Sequence, residues 1–133
     1  MTKWARRAHA LIAWLFVASV IYQVYLIGLY LFAGDTINPH RDWGNSGVFV
    51  LALLTVLSAL FARLPPAAVG WTALLFVLYL VQWALGLPGM KAQQPYLAAL
   101  HPVNALAIFI LGVSVAKRAW RIALSATALE AAT

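Results

Sequence analysis

The chain contains no cysteine, and only 9% of its 133 residues are charged. The absence of cysteine excludes disulfides, thiolate metal sites, a thiol nucleophile and a covalently attached c-type haem. The chain has three acidic residues against nine Lys and Arg, so its formal charge of +6 comes from a shortage of acids and not from an abundance of bases. This balance argues against a nucleic-acid-binding protein. Hydrophobic residues make up 65% of the chain, whereas soluble domains contain about half. The sequence therefore predicts a small integral membrane protein.

Four apolar segments are long enough to cross a bilayer, for which a helix needs about 20 residues. They are expected at about residues 8–33, 39–63, 67–87 and 97–118 of a single transmembrane domain. Asn38 and Pro39 are interpreted as the N-cap and the first residue of the second helix. The connections are short, which forces neighbouring helices to run antiparallel. The predicted fold is all-α, an up-down four-helix bundle in a lipid bilayer.

Basic residues divide unevenly between the two ends of the predicted bundle. The end with both termini and the second connection carries seven of them: Lys3, Arg6, Arg7, Arg63, Lys117, Arg118 and Arg121. The other end carries two, Arg41 and Lys91. Because cytoplasmic loops are enriched in Lys and Arg, both termini are expected in the cytoplasm. The first apolar run is far longer than the roughly 7–15 residues of a signal peptide, so it is expected to remain as a helix.

Polar side chains in the spans gather at the opposite, outer end. His40 opens the second helix and His101 opens the fourth. These two helices run in the same direction and are diagonal partners in an up-down bundle, so their imidazoles are expected to face each other. Two neutral imidazoles bonding iron from opposite sides are the ligands of a bis-histidine b-type haem. The pattern therefore predicts haem b near the outer face, with His40 and His101 ligating its iron.

Neighbouring residues fit this hypothesis, although each has an ordinary alternative. Small residues one or two turns along the histidine faces leave room for a flat macrocycle, but glycines in membrane helices commonly serve packing. Basic residues at the outer end are placed to pair with haem propionates, but basic residues also serve as ordinary membrane anchors. Nearby amide side chains are placed to orient a ligand ring, but amides also form ordinary hydrogen bonds between helices. The predicted cofactor-binding residues are His40, His101, Gly44, Gly47, Ala105, Arg41, Asn104, Gln82 and Gln23.

Four features occur together in the chain: the segment Leu100-His101-Pro102-Val103-Asn104-Ala105, Gln23, Gln82 and the spacing His40-x-x-x-Gly44. With this combination the chain resembles a family of small four-helix bacterial membrane proteins of unknown function. More distantly, the layout resembles one half of a haem A synthase, whose histidines opening the second and fourth helices ligate haem. In that enzyme Arg follows the first histidine, as Arg41 follows His40. The chain lacks the acid before that pair, the loop cysteines and the second unit. The resemblance implies a b-type haem scaffold in a bacterial inner membrane, not haem O oxidation.

The sequence is compatible with three functions. The first is an electron-transfer or accessory redox protein, not expected to be an enzyme, with a quinone, a larger membrane redox complex or further copies of itself as partners. The second is a cofactor-free structural subunit. The third is a quinone, lipid or transition-metal site using His40, His101, Asp42 and Asp35, because histidine and carboxylate suit zinc or copper.

Overall fold

The computed structural model describes the backbone of residues 2–131 and the side chains of residues 3–125. Within that range the chain forms seven α-helices and one π-helical turn, Gly44–Val48, which joins α2 to α3 in a continuous rod. The helices are α1 (Thr2–Phe32), α2 (Asn38–Trp43), α3 (Phe49–Phe61), α4 (Pro66–Gly86), α5 (Pro88–Gln93), α6 (Pro95–Ala98) and α7 (Leu100–Ala131).

Four helical stretches are long and apolar enough to cross a membrane: Lys3–Phe32, Asn38–Phe61, Pro66–Gly86 and Pro95–Ser125. Each overlaps one predicted span, and the all-α membrane fold is confirmed. Large apolar side chains such as Leu31, Leu60 and Ile110 are exposed along these stretches, which provides the surface that a lipid phase contacts. The segment between the third and fourth predicted spans, residues 88–96, is mostly helical: it contains α5 and the start of α6.

Prolines begin several helices, because a residue in the first turn needs no intrahelical N–H bond. They lie at Pro39, Pro66, Pro88, Pro95 and Pro102. The predicted N-cap of α2 is wrong by one residue: Asn38 is already helical, and Ile37 precedes it without a side-chain cap. A one-residue difference at a helix end leaves the location of His40 in the first turn unchanged.

The turn between α3 and α4 contains a backbone conformation that side chains rarely adopt. Arg63 has a φ of +49°. Its N–H donates to the carbonyl of Leu60 over 3.0 Å, and the N–H of Leu64 donates to the carbonyl of Ala59 over 3.2 Å. These two bonds form a Schellman motif, in which glycine is the usual residue at the position of Arg63.

The four spans pack as a square. α1 contacts α7 and α3, and α4 contacts the same two helices. The α2–α3 rod and α7 therefore lie on one diagonal, as the sequence predicts. We call the end with the starts of α2 and α7 the His40 end, and the end with the start of α1 and the α3–α4 turn the His9 end.

The core changes in character along the bundle. Its middle contains large side chains: Phe16, Val20, Val48, Ala52, Leu75, Tyr79 and Ile108. The His9 end is packed largely with alanine, between α1 and α7 and between α3 and α4: Ala10, Ala13, Ala59, Ala62, Ala68, Ala116, Ala119 and Ala123. Small residues allow helix backbones to approach closely in a membrane, so the His9 end consists of two tightly packed helix pairs.

Candidate functional site

Two histidines from diagonally opposed helices meet at the His40 end. The ring centres of His40 and His101 are 6.5 Å apart, and the ring planes are inclined by 60°. Both side chains are partly buried. Because their helices pack on α1 and α4 and not mainly on each other, the imidazoles extend across the central space between the four spans.

The same hydrogen bond holds both rings. Nδ1 of His40 lies 3.1 Å from the carbonyl oxygen of Gln23 in α1. Nδ1 of His101 lies 3.1 Å from the carbonyl oxygen of Gln82 in α4. A carbonyl only accepts, so Nδ1 of each ring carries the hydrogen, and a neutral imidazole then keeps its lone pair on Nε2. Histidines that bind metal are typically held in this way.

The side chains of the two glutamines are engaged differently. Oε1 of Gln82 accepts from Nδ2 of Asn104 over 2.8 Å, and Asn104 also donates to the carbonyl of Leu78 over 2.9 Å. Nε2 of Gln23 donates to the carbonyl of His40 over 2.8 Å and lies 3.4 Å from Nε2 of that ring. Oε1 of Gln23 is buried without a hydrogen-bond partner. The Gln82 side chain is thus fixed, whereas that of Gln23 is incompletely satisfied.

Three glycines allow close approaches around the two rings. A Cβ on Gly44 would lie 2.7 Å from Nε2 of Gln23, and one on Gly47 would lie 2.8 Å from the Trp43 ring. A Cβ on Gly86 would lie 3.1 Å from Cε1 of His101. In this structure Gly44 and Gly47 thus accommodate protein side chains, and Gly86 makes room for one of the two histidines.

The rod that carries His40 is anchored one turn further on. Gly44 begins the π-helical turn, and its carbonyl accepts from the hydroxyl of the buried Tyr79 over 3.0 Å. Nε1 of Trp43 donates to Oγ of Ser19 over 3.1 Å. π-Helical turns occur often at functional sites because the widened turn redirects side chains and frees backbone groups. Here α4 satisfies the carbonyl of the first residue of that turn, and α1 satisfies the side chain just before it.

The remaining predicted residues lie around the pair. Arg41 and Lys91 are exposed, and the charge of Lys91 acts on both imidazoles. Ala105 is partly buried one turn beyond His101.

The alternative metal site with two carboxylates is not formed. Asp35 instead accepts the N–H of Thr36 in its own turn. Among the side chains that the structure describes, no three His, Asp or Glu residues gather in one place. The prediction that Asp42 and Asp35 join His40 and His101 around a zinc or copper ion is therefore wrong.

Three parts of the site have no signal in the sequence that would assign them. The carbonyls of Gln23 and Gln82 are backbone groups, which every residue carries. Gly86 and Tyr79 lie on α4, and only the packing of α4 against the α2–α3 rod and α7 brings them to the histidines. The glutamines were expected to act through their amides, but they hold the rings through their main chain.

A family model described as a family of unknown function (DUF6220) matches residues 23–93. The chain belongs to this family. The matched region includes Gln23, His40 and Gln82 and ends before His101. No curated protein and no solved structure matches the chain. The expected membership in a family of unknown function is confirmed, while the likeness to haem A synthase rests only on the residues quoted above.

Proposed function

We propose that this membrane protein binds haem b between His40 and His101 and serves as an electron-transfer protein or as an accessory subunit of a membrane redox complex. The observation that carries the proposal is the repeated bond from Nδ1 to a backbone carbonyl. It puts the lone pair of each ring on Nε2, on opposite sides of one space; Nε2 of His40 accepts a long bond of 3.4 Å from the Gln23 amide, which a bound haem would displace.

The separation of the rings agrees with a shared iron ion. His40 and His101 would hold the iron between them, because their ring centres are 6.5 Å apart and a bond from an imidazole nitrogen to a metal is about 2 Å long. The donor atoms fit as well, since two neutral imidazoles form the ligand set of b-type cytochromes.

The chain's own residues have separate tasks in this proposal. A bound haem would supply one-electron chemistry, while the carbonyls of Gln23 and Gln82 orient the ligands. Arg41 and Lys91 place positive charge beside the site for carboxylate groups. The Gln23 amide has to turn away from Nε2 of His40. It gives up two bonds, one of 2.8 Å to the His40 carbonyl and one of 3.4 Å to the ring of the same residue, and its unpartnered Oε1 has none to lose.

The orientation of the bundle is part of the proposal. The His9 end carries the seven basic residues, and the His40 end carries two. By the positive-inside rule, the histidine pair faces the outside of a bacterial plasma membrane. Reporter fusions at both termini are expected to be active only as cytoplasmic reporters. Active periplasmic fusions at both ends would reverse the orientation without changing the site.

A cofactor-free structural subunit is the second candidate. One observation favours it: both Nδ1 atoms have partners, and the Gln23 amide lies 3.4 Å from Nε2 of His40. The same polar groups then act only as links between helices. This candidate predicts a colourless protein in which the two histidines contribute to stability alone.

The optical spectrum of the protein purified from haem-replete cells separates the two candidates. We expect a Soret band, and α and β bands on reduction. His40→Ala and His101→Ala are each expected to remove the spectrum. His9→Ala, a matched control in the same membrane protein, is expected to retain it. A colourless wild-type protein contradicts the proposal, and so does loss of the spectrum in His9→Ala alone.

A further inference from the structure

A cavity of about 270 Å³ lies at the His9 end, lined mainly by α4 and α7. Alanines close the neighbouring contacts, with Ala10 against Ala119 and Ala123 on one side and Ala59 against Ala68 on the other. The gap therefore lies between two tightly packed helix pairs. It is remote from the histidine pair and plays no part in the proposed haem site.

The lining of the cavity includes two residues whose hydroxyl groups already donate their hydrogens, Thr72 and Ser114. Thr72, which is buried, donates its hydrogen to the carbonyl of Val69 over 2.7 Å. Ser114 donates to the carbonyl of Ile110 over 2.9 Å. Each hydroxyl hydrogen is already engaged, so these oxygens offer only lone pairs to a ligand.

The buried imidazole of His9 adds a third acceptor to the lining. Its Nδ1 lies 2.9 Å from Oγ of Ser58, and that hydroxyl donates to the carbonyl of Thr55 over 3.2 Å. Because the Ser58 hydrogen points to Thr55, Nδ1 of His9 is the donor, and Nε2 keeps the lone pair of the neutral ring. A ligand that satisfies these acceptors carries hydroxyl groups.

The charge at the rim of the cavity favours an anionic ligand. Arg118 lies among the lining residues, and no acid does. Of the three acids in the chain, Asp35 and Asp42 lie at the far end, and the Glu130 side chain is outside the described residues. A guanidinium pairs well with a phosphate because its N–H groups match two oxygens.

The volume restricts how much of a ligand enters. Pockets that enclose a drug-sized molecule begin at about 300 Å³, so this cavity takes a headgroup and not a whole amphiphile. Its other lining residues include Leu64, Leu111 and Ile122. Beside it, Leu74 and Ile110 expose apolar surface on α4 and α7, along which acyl chains can lie.

We propose that this cavity binds the headgroup of an anionic phospholipid that carries both a phosphate and free hydroxyl groups. Arg118 pairs with the phosphate, and His9, Ser114 and Thr72 accept from the hydroxyls. The lipid is a structural partner at the basic end of the bundle.

Native mass spectrometry of the full chain with added lipids tests this assignment. Phosphatidylglycerol has both features, phosphatidic acid lacks the free glycerol hydroxyls, and phosphatidylcholine lacks the net charge. We expect phosphatidylglycerol to bind most tightly, with Arg118→Gln weakening it about tenfold, as expected for one lost charge-assisted bond. Arg121→Gln is the matched control, because Arg121 lines a separate groove with Trp14 and Trp120 and its loss should weaken binding less than the loss of Arg118 does.

A second variant tests the cavity without removing a charge and without altering a core residue. Ser114 lines the cavity and is exposed, so Ser114→Leu is expected to fill the space without disturbing the core and to weaken phosphatidylglycerol binding as Arg118→Gln does. Equal affinity for phosphatidylcholine, equal losses in Arg118→Gln and Arg121→Gln, or equally tight binding of inorganic phosphate alone would each overturn the proposal. His40→Ala is expected to leave lipid binding unchanged, which separates this result from the haem test.

Discussion

The two ends of the bundle both contain histidine, but they use it differently. At the His9 end one ring, 1% exposed, bonds to the hydroxyl of Ser58 among closely packed alanines. At the His40 end two less buried rings from diagonal helices each bond to a backbone carbonyl and lie 6.5 Å apart. Burial therefore does not mark the candidate site. What distinguishes it is a pair of imidazoles on opposite sides of one space, each held at Nδ1 by a backbone carbonyl.

The largest difference between the ends is expected from Gly86. A Cβ there would lie 3.1 Å from Cε1 of His101, so Gly86→Leu displaces the ring and is expected to abolish the haem spectrum. Gly70→Leu is the control in the same helix, because nothing lies within 4 Å of a Cβ at that position. Soret absorbance per protein measures the effect. A normal spectrum in Gly86→Leu would show that His101 does not need its observed position.

At the opposite end, enlarging an alanine should reduce stability and leave haem in place. Ala116 is fully buried against α1, so Ala116→Leu is expected to lower the free energy of unfolding by about 1–3 kcal/mol through overpacking. Ala107 is exposed on the same helix, and Ala107→Leu should have little effect. Denaturation in detergent micelles measures both variants. Loss of haem in Ala116→Leu while the protein remains folded would show that the two ends are coupled.

A smaller effect is expected where α7 is tied to α4. Asn104→Ala removes the bonds to Leu78 and Gln82 and should lower the free energy of unfolding by about 1–2 kcal/mol, the range for polar contacts between membrane helices. Asn45→Ala, at an exposed position near His40, is the comparison. If the two variants unfold alike, the contacts of Asn104 contribute nothing measurable.

The smallest effect expected is a gain in stability at the His9 end. Arg63 occupies a left-handed conformation, with φ at +49°, which costs a residue with a Cβ roughly 1 kcal/mol. Arg63→Gly should raise the free energy of unfolding by about that amount. Arg63→Ala removes the same charge but keeps the Cβ, so it should give no gain. Equal stabilisation by both substitutions would assign the effect to charge and not to the backbone.

The spans and the diagonal pairing of the histidines were predictable because they depend on composition and connectivity. A run of apolar residues crosses a bilayer whatever it packs against, and short connections force an antiparallel bundle. The same reasoning placed His40 and His101 at one depth. It was wrong for Asp42 and Asp35, because proximity in sequence to a ligand does not bring a carboxylate into the centre of a bundle.

By itself the sequence determined an all-α membrane protein with two histidines at one end and most of its basic charge at the other. Hydrophobic length and charge bias act locally and need no knowledge of packing. Only the tertiary structure decided which atoms hold the imidazoles, since the partners are main-chain carbonyls of Gln23 and Gln82 on neighbouring helices. It also decided that Gly86 makes room for His101 and that a cavity opens beside Arg118. These features depend on the rotation and spacing of whole helices, which no single segment encodes.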